Sequence, residues 1–92
     1  MLGTLAYMAP EQAAGGEASP AWDVWSLSVM TFEMLTAQHP FGGGLPVARA
    51  IPIATLAPEL DARLASAIDR ALSHTAADRP ASASALINSI RT

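Results

Sequence analysis

One segment of the chain, residues 21–37, is apolar around nearly the whole circumference of a helix. Its apolar positions are Trp22, Val24, Trp25, Leu27, Val29, Met30, Phe32, Met34 and Leu35. A helix with this pattern in a globular protein is buried on most sides. Ser19 followed by Pro20 is a typical helix start, and the proline and glycines at 40–44 predict its end. The pattern therefore predicts a buried central helix over 21–37.

The rest of the chain predicts shorter elements. Residues 58–73 are predicted to form an amphipathic helix, since apolar side chains recur there at spacings of three and four residues. Pro58 fits the first turn of this helix. Residues 81–91 form a last short helix. Two prolines limit 45–56 to a short helix and a loop, and residues 1–20 are predicted as a loop leading into a short turn. Strand patterns are absent, so the predicted fold class is all-α.

These elements predict an incomplete domain. A central helix that is apolar all round needs neighbours on every side. Two amphipathic helices and two short ones cover only part of that surface. A chain of 92 residues is one domain or part of one. We therefore expect residues 1–92 to form the middle and end of a larger domain.

Composition narrows the possible functions. Hydrophobic residues make up 51% and charged residues 14% of the chain, which argues against disorder. A net charge of −3 argues against a nucleic-acid partner. All five basic residues are arginines, so chemistry that needs a lysine amine is excluded within this chain, and the absence of cysteine excludes thiolate catalysis and disulfides. No segment is apolar enough to span a bilayer and no secretory signal is visible, so a cytoplasmic location is expected.

Three motifs follow one another along the chain. They are Gly3-Thr4-Leu5-Ala6-Tyr7-Met8-Ala9-Pro10-Glu11, then Asp23-Val24-Trp25-Ser26-Leu27-Ser28-Val29, and finally Leu72 followed at a distance by Asp78-Arg79-Pro80. Together they resemble the end of the activation segment, the central helix and the Arg-Pro turn of eukaryotic-type serine/threonine protein kinases. The departures from the family pattern are Leu5 for proline, Ser28 for glycine, and Thr75-Ala76 for Asp-Pro. The extra bulk of Ser28 is expected to cost about 1–3 kcal/mol if the site is tightly packed.

The resemblance covers essentially the whole chain and implies the helical C-lobe portion of a protein kinase fold. It implies that Thr4 and Tyr7 line the substrate pocket and that Glu11 and Arg79 form a buried ion pair. It also implies that Asp23 accepts hydrogen bonds from the backbone of a catalytic loop. The residues alone leave other interpretations open. In one alternative, Glu11 and Arg79 are two solvated surface charges. In the other, Asp23 stabilises only its own helix, by about 0.3–1 kcal/mol. This interpretation of Asp23 is favoured if the chain exists alone.

Other candidate sites are weaker. The Gly42-Gly43-Gly44 run lacks the Lys-Ser/Thr of a phosphate-binding loop and is expected to be a flexible connector. No spacing links His39 and His74 to each other or to carboxylates, so they are assigned surface or packing roles. Ser26 lies inside an apolar helix without a nucleophile elbow, which argues against a hydrolase triad. We therefore predict no metal site and no catalytic residue in this chain.

The kinase resemblance also shows what the chain lacks. Phosphoryl transfer in kinases needs a glycine-rich loop, a strand lysine, a His-Arg-Asp loop with its asparagine and an Asp-Phe-Gly. None of these occurs in the 92 residues. We therefore expect the chain alone to bind neither ATP nor Mg²⁺, the cofactors of the intact family domain, and to transfer no phosphate.

Three hypotheses remain. The first is the C-terminal part of a serine/threonine kinase that transfers the ATP γ-phosphate to protein Ser or Thr, its partner being the N-terminal part of the domain. The second is a stand-alone helical interaction module that binds an intact kinase or its substrate. The third is an unrelated small helical protein, which a large separation between Glu11 and Arg79 would support.

Overall fold

A computed structural model describes residues 7–16, 18–41 and 50–91 of the chain. The helices are α1 (Pro10–Ala13), α2 (Pro20–Thr36), α3 (Ile53–Leu56), α4 (Ala62–Ala71), a 3₁₀ turn (Ala76–Asp78) and α5 (Ala83–Arg91). No strand occurs within those three ranges. The predicted all-α class is confirmed.

The central helix α2 contacts α3, α4 and α5. It begins with Pro20 at its first position, after an extended Ser19, as the sequence predicts. It ends at Thr36 because Ala37 turns into the left-handed region, with φ 61°, and donates its N–H to the Glu33 carbonyl. The helix therefore stops before Pro40 is reached, and the glycines at 42–44 lie outside the described residues.

The remaining helices are shorter than predicted. The helix predicted over 58–73 begins only at Ala62, because the Asp61 carboxylate caps it by accepting the N–H groups of Arg63 at 2.9 Å and Leu64 at 3.3 Å. Pro58 thus precedes the helix and does not lie in its first turn. Likewise α5 begins at Ala83 and not at residue 81. Within 45–56 the described part holds only the single turn of α3.

Two clusters of buried side chains form the core, and both include residues of α2. The larger contains Ala9, Trp25, Val29, Phe32, Ile53, Ala65, Ile68 and Leu72. The smaller contains Val24, Ala67, Ala71 and Leu86. Adjacent residues of α2, Val24 and Trp25, thus enter different clusters, which explains why its apolar positions wrap around the helix.

One face of α2 has no neighbour among the residues that the structure describes. Met30 and Met34, which lie one turn apart on this face, are 46% and 84% exposed. Within the described residues, the other helices thus cover only part of the central helix, as expected. Large apolar side chains that share one helix face in solvent are unusual for a monomer and indicate an interaction surface.

Ser28 is buried in α2, where it is 1% exposed, and its hydroxyl has no hydrogen-bond partner among the described residues. A buried hydroxyl without a partner destabilises the folded state, and alanine also has the higher helix propensity. We therefore expect Ser28→Ala to raise the free energy of unfolding by about 1–2 kcal/mol. The midpoint of urea denaturation measures this change.

Ser26→Ala provides the matched control, since it makes the same atomic change two residues earlier in α2. The Ser26 hydroxyl is bonded to the Tyr7 carbonyl at 2.8 Å. Its removal should lower the free energy of unfolding by about 1 kcal/mol. A loss of stability in both variants would contradict the role assigned to Ser28.

Candidate functional site

The guanidinium of Arg79 lies at the centre of the site. Its side chain is 0% exposed, and it forms a bidentate ion pair with the Glu11 carboxylate. Nη1 donates to Oε2 at 2.7 Å and Nη2 donates to Oε1 at 2.8 Å. Two parallel charge-assisted bonds of this length fix both the distance and the orientation of the two side chains.

Backbone carbonyls accept the remaining N–H groups of Arg79. Nε donates to Ser73 O at 2.8 Å, Nη1 to Ala21 O at 3.3 Å and Nη2 to His74 O at 3.4 Å. With the two bonds to Glu11, every one of the five N–H donors of the guanidinium has an acceptor. The same group lies 4.8 Å from the ring centroid of Trp25, a cation–π contact. Arg79 thereby joins α1, the first turn of α2 and the connection that follows α4.

The local chain brings each partner into place. Pro10 starts α1, and the Gln12 side chain accepts the Ala9 N–H, so Glu11 lies in a defined first turn. The chain then turns at Gly16, whose N–H donates to Glu11 O at 2.7 Å. A Cβ at Gly16 would lie 2.8 Å from that oxygen, so the turn requires glycine.

The turn that precedes Arg79 closes without the Asp-Pro of the family pattern. Asp78 donates its N–H to Thr75 O at 2.9 Å, and Arg79 donates its N–H to Ala76 O at 3.1 Å. Both residues that depart from the pattern, Thr75 and Ala76, thus supply the carbonyl acceptors of a 3₁₀ turn. The departure therefore leaves the position of Arg79 intact.

A second contact ties Tyr7 to α2 at two points. The Tyr7 hydroxyl donates to Glu33 Oε1 at 2.5 Å, and the Ser26 hydroxyl donates to Tyr7 O at 2.8 Å. Ser26 and Glu33 lie about two helical turns apart on one side of α2. The hydrogen bond to Glu33, together with burial, raises the pKa of Tyr7 above its ordinary value of 10.0. Both the backbone and the far end of Tyr7 are therefore held against the helix.

The structure brings some of the predicted site residues together. Glu11 and Arg79 are in contact across 68 positions of sequence, and two separate solvated charges are therefore the wrong interpretation. Asp23 lies exposed in the first turn of α2, and no described hydrogen bond involves its carboxylate. Thr4 lies outside the described residues.

Three contributors to the site were not predicted from sequence: Ser26, Glu33 and Trp25. A signal for one of them was present, because Glu33 is the single charged residue between positions 24 and 36. A lone acid in an apolar helix needs a hydrogen-bonding partner or solvent. The pattern did not reveal which residue that partner was.

Metal binding finds no support in this part of the chain. Across residues 7–16, 18–41 and 50–91 no group of three or more His, Cys, Asp or Glu side chains could hold a metal ion. In the same ranges no helix is both long and apolar enough to cross a membrane.

Comparison with known proteins identifies the family. The sequence model described as the protein kinase domain matches residues 1–88. The chain therefore belongs to the protein kinase domain family, and several of its relatives are serine/threonine-protein kinases.

Three of these relatives are bacterial. The serine/threonine-protein kinase drp72 of Corynebacterium efficiens is 47% identical over 51 residues, which are 55% of this chain and 10% of that protein. The kinases PknA and PknL of Mycobacterium tuberculosis are 51% and 49% identical over 43 residues, or 47% of this chain and 10% and 11% of theirs. The aligned part is thus about a tenth of each relative.

The ion pair makes stability dependent on pH. The hydrogen bonds from Arg79 hold the pKa of Glu11 below its ordinary value of 4.5, although partial burial opposes them. Because the folded-state pKa is the lower one, this stabilisation is complete above about pH 4.5 and is lost as the pH falls through the folded-state value.

We expect Glu11→Ala to lower the free energy of unfolding by about 3–5 kcal/mol at pH 7, since it leaves a buried guanidinium unpaired.

This difference between Glu11→Ala and the unchanged chain should be constant from pH 7 to 5 and should shrink below pH 4.5. Urea denaturation at a series of pH values measures it. Glu59→Ala, which removes an exposed carboxylate, is the control and should change stability by less than about 0.5 kcal/mol at pH 7. Equal losses in the two variants would contradict the role of the ion pair.

Proposed function

We propose that this chain supplies the scaffolding and substrate-side part of a serine/threonine protein kinase, whose reaction transfers the ATP γ-phosphate to protein Ser or Thr. The observation that carries the proposal is the bidentate bond between Glu11 and Arg79. These two hydrogen bonds join the first motif, which in our proposal ends the activation segment, to the part of the chain that follows α4. A protein substrate requires a rigid surface at that place, since phosphoryl transfer depends on positioning.

Tyr7 and Thr4 are the residues we assign to the substrate pocket. Tyr7 is held to α2 through Ser26 and Glu33, so the segment that contains it has a fixed position along the helix. Thr4 precedes it by three residues in the same motif. In this proposal neither residue performs chemistry, and both orient the peptide that carries the phosphoacceptor.

In our proposal, the groups that bind ATP and Mg²⁺ lie outside these 92 residues. No lysine is present to bind phosphates, and the described residues contain no acidic cluster for a metal ion. The residues present therefore do not fit the cofactors of the intact domain. We infer that the chain by itself transfers no phosphate.

The uncovered face of α2 is where we propose that the remaining part of a kinase domain packs. Met30 and Met34 present large apolar side chains there, and Asp23 presents a carboxylate in the first turn of the same helix. Such a carboxylate can accept hydrogen bonds from the backbone of a neighbouring loop. A cytoplasmic location stays a prediction.

A second candidate is a stand-alone helical module that binds an intact kinase or its substrate. Its radius of gyration is 12.3 Å, close to the ~12 Å of a folded domain of this length, as a stand-alone module requires. A cooperatively melting monomer that forms a discrete complex with an intact kinase would support this candidate. Thermal denaturation of the purified chain measures the cooperativity of melting. Sedimentation of the chain, with and without an intact kinase, measures whether it is a monomer and whether the complex forms.

Two phosphate-transfer assays test the kinase proposal. The purified chain, incubated with radiolabelled ATP, Mg²⁺ and a generic basic protein, should show no transfer above its Glu11→Ala variant. A chimera in which residues 1–88 replace the matching segment of PknA should transfer phosphate. Transfer by the chain alone would contradict the assignment of the ATP site, and a folded but inactive chimera would contradict the assignment of the scaffold.

Asp23→Ala separates the two roles considered for this aspartate. In the isolated chain the carboxylate interacts only with its own helix, so the substitution should lower the free energy of unfolding by no more than about 1 kcal/mol. In the chimera it should lower the transfer rate by about a hundredfold, because a small displacement of the catalytic loop has that effect. Glu59→Ala is the control in both measurements, and an equal rate for Asp23→Ala and this control would contradict the anchoring role.

A further inference from the structure

The methionines of this chain differ in their exposure to solvent. On α2, Met34 is 84% and Met30 is 46% exposed, and the two lie one turn apart on the face that no described residue covers. Met8 is half-buried, and Met1 lies outside the described residues. Met34 is therefore the most exposed methionine in the part of the chain that the structure describes.

The sulfur of methionine distinguishes this face from an ordinary apolar surface. A thioether packs as an apolar group, but oxidation to the sulfoxide makes the same side chain polar and chiral. Leucine or isoleucine would supply a similar apolar area without an atom that a peroxide oxidises. The polarity of the uncovered face of α2 can therefore change through a chemical step at one or two sulfur atoms.

Oxidation at these positions leaves the core intact. Neither Met30 nor Met34 belongs to the two clusters of buried side chains. The adjacent Glu33 accepts the Tyr7 hydroxyl through its carboxylate and the Ala37 N–H through its carbonyl. None of these contacts involves a methionine side chain, so we expect the sulfoxide to form on a chain that stays folded.

We propose that Met34, and Met30 more slowly, are sites of reversible oxidation by hydrogen peroxide, and that the sulfoxide prevents a partner from packing on this face. In the reaction the sulfur attacks one peroxide oxygen, the O–O bond breaks and an S–O bond forms. The departing hydroxide takes the proton of the transferred oxygen and leaves as water. The sulfur loses two electrons, which the peroxide gains, and a thiol-dependent sulfoxide reductase reverses the step.

The effect on packing rests on the proposed function, in which the remaining part of a kinase domain covers this face. A sulfoxide oxygen buried against apolar side chains without a hydrogen-bond donor is unfavourable. Conversely, a packed partner keeps peroxide away from the sulfur. Oxidation and packing therefore exclude each other, and peroxide acts only while the face is uncovered.

Peroxide oxidation of the 92-residue chain, followed by proteolytic digestion and mass spectrometry, tests the sites. The gain of one oxygen atom should be fastest at Met34, slower at Met30, and about fivefold slower at Met8 than at Met34. In urea, where the chain is unfolded, the three rates should converge, which is the internal control. Equal rates in the folded chain, or loss of the helical circular dichroism when Met34 is oxidised, would overturn the proposal.

Two variants test the effect on packing. Met34→Gln places a polar group on the face, whereas Met34→Leu keeps the face apolar and removes the sulfur. In the chimera with PknA, Met34→Gln should lower the melting temperature by about 2–4 °C and Met34→Leu should not. In the isolated chain neither variant should change it. Ile87→Gln, at an exposed apolar position of α5, is the matched control and should leave the melting temperature of the chimera unchanged.

The outcomes separate this inference from the kinase proposal. Equal melting temperatures for Met34→Gln and Met34→Leu in an active chimera would overturn the effect on packing. Oxidation of Met34 at the same rate in an active chimera and in the isolated chain would overturn the mutual exclusion. An inactive chimera counts against the kinase proposal, because the order of oxidation in the isolated chain is measured without it.

Discussion

A guanidinium removed from water needs an acceptor for each of its five N–H groups, and the structure around Arg79 meets that requirement. One carboxylate and three backbone carbonyls accept all of them. An unpaired buried charge is strongly destabilising, so the folded state keeps these acceptors around Arg79. The end of the first motif, the start of α2 and the connection after α4 are therefore fixed as one unit.

The central helix serves as the platform for this unit. Its residues Val24 and Trp25 enter the two core clusters, and Ser26 and Glu33 hold Tyr7 along one side. The two motifs that flank it thus dock onto one rigid element. The exposed methionines on the remaining face show that the helix has more apolar surface than the described residues cover. The uncovered apolar surface is consistent with the alignments, in which this chain matches about a tenth of each bacterial relative.

Local sequence signals predicted the elements better than their ends. The Ser19-Pro20 start of α2 was predicted because a cap and a proline act within one turn. The start of α4 was not, because Pro58 also fits a first turn and only the structure shows that Asp61 caps the helix. The end of α2 was predicted to within one residue, but it was attributed to Pro40 and the glycines, because alanine rarely adopts the left-handed conformation seen at Ala37.

The sequence by itself determined the all-α class, the central helix and the absence of a lysine that could bind nucleotide phosphates. These follow from periodicity over a few residues and from composition. Only the tertiary structure decided that Glu33 and Ser26 hold Tyr7 and that Trp25 lies beneath Arg79. Contacts between such distant positions depend on how whole helices pack, and no short-range pattern specifies that arrangement. The resemblance to a family implied the Glu11–Arg79 pair, and the five hydrogen bonds that Arg79 donates, two of them to Glu11, give the pair its physical reason.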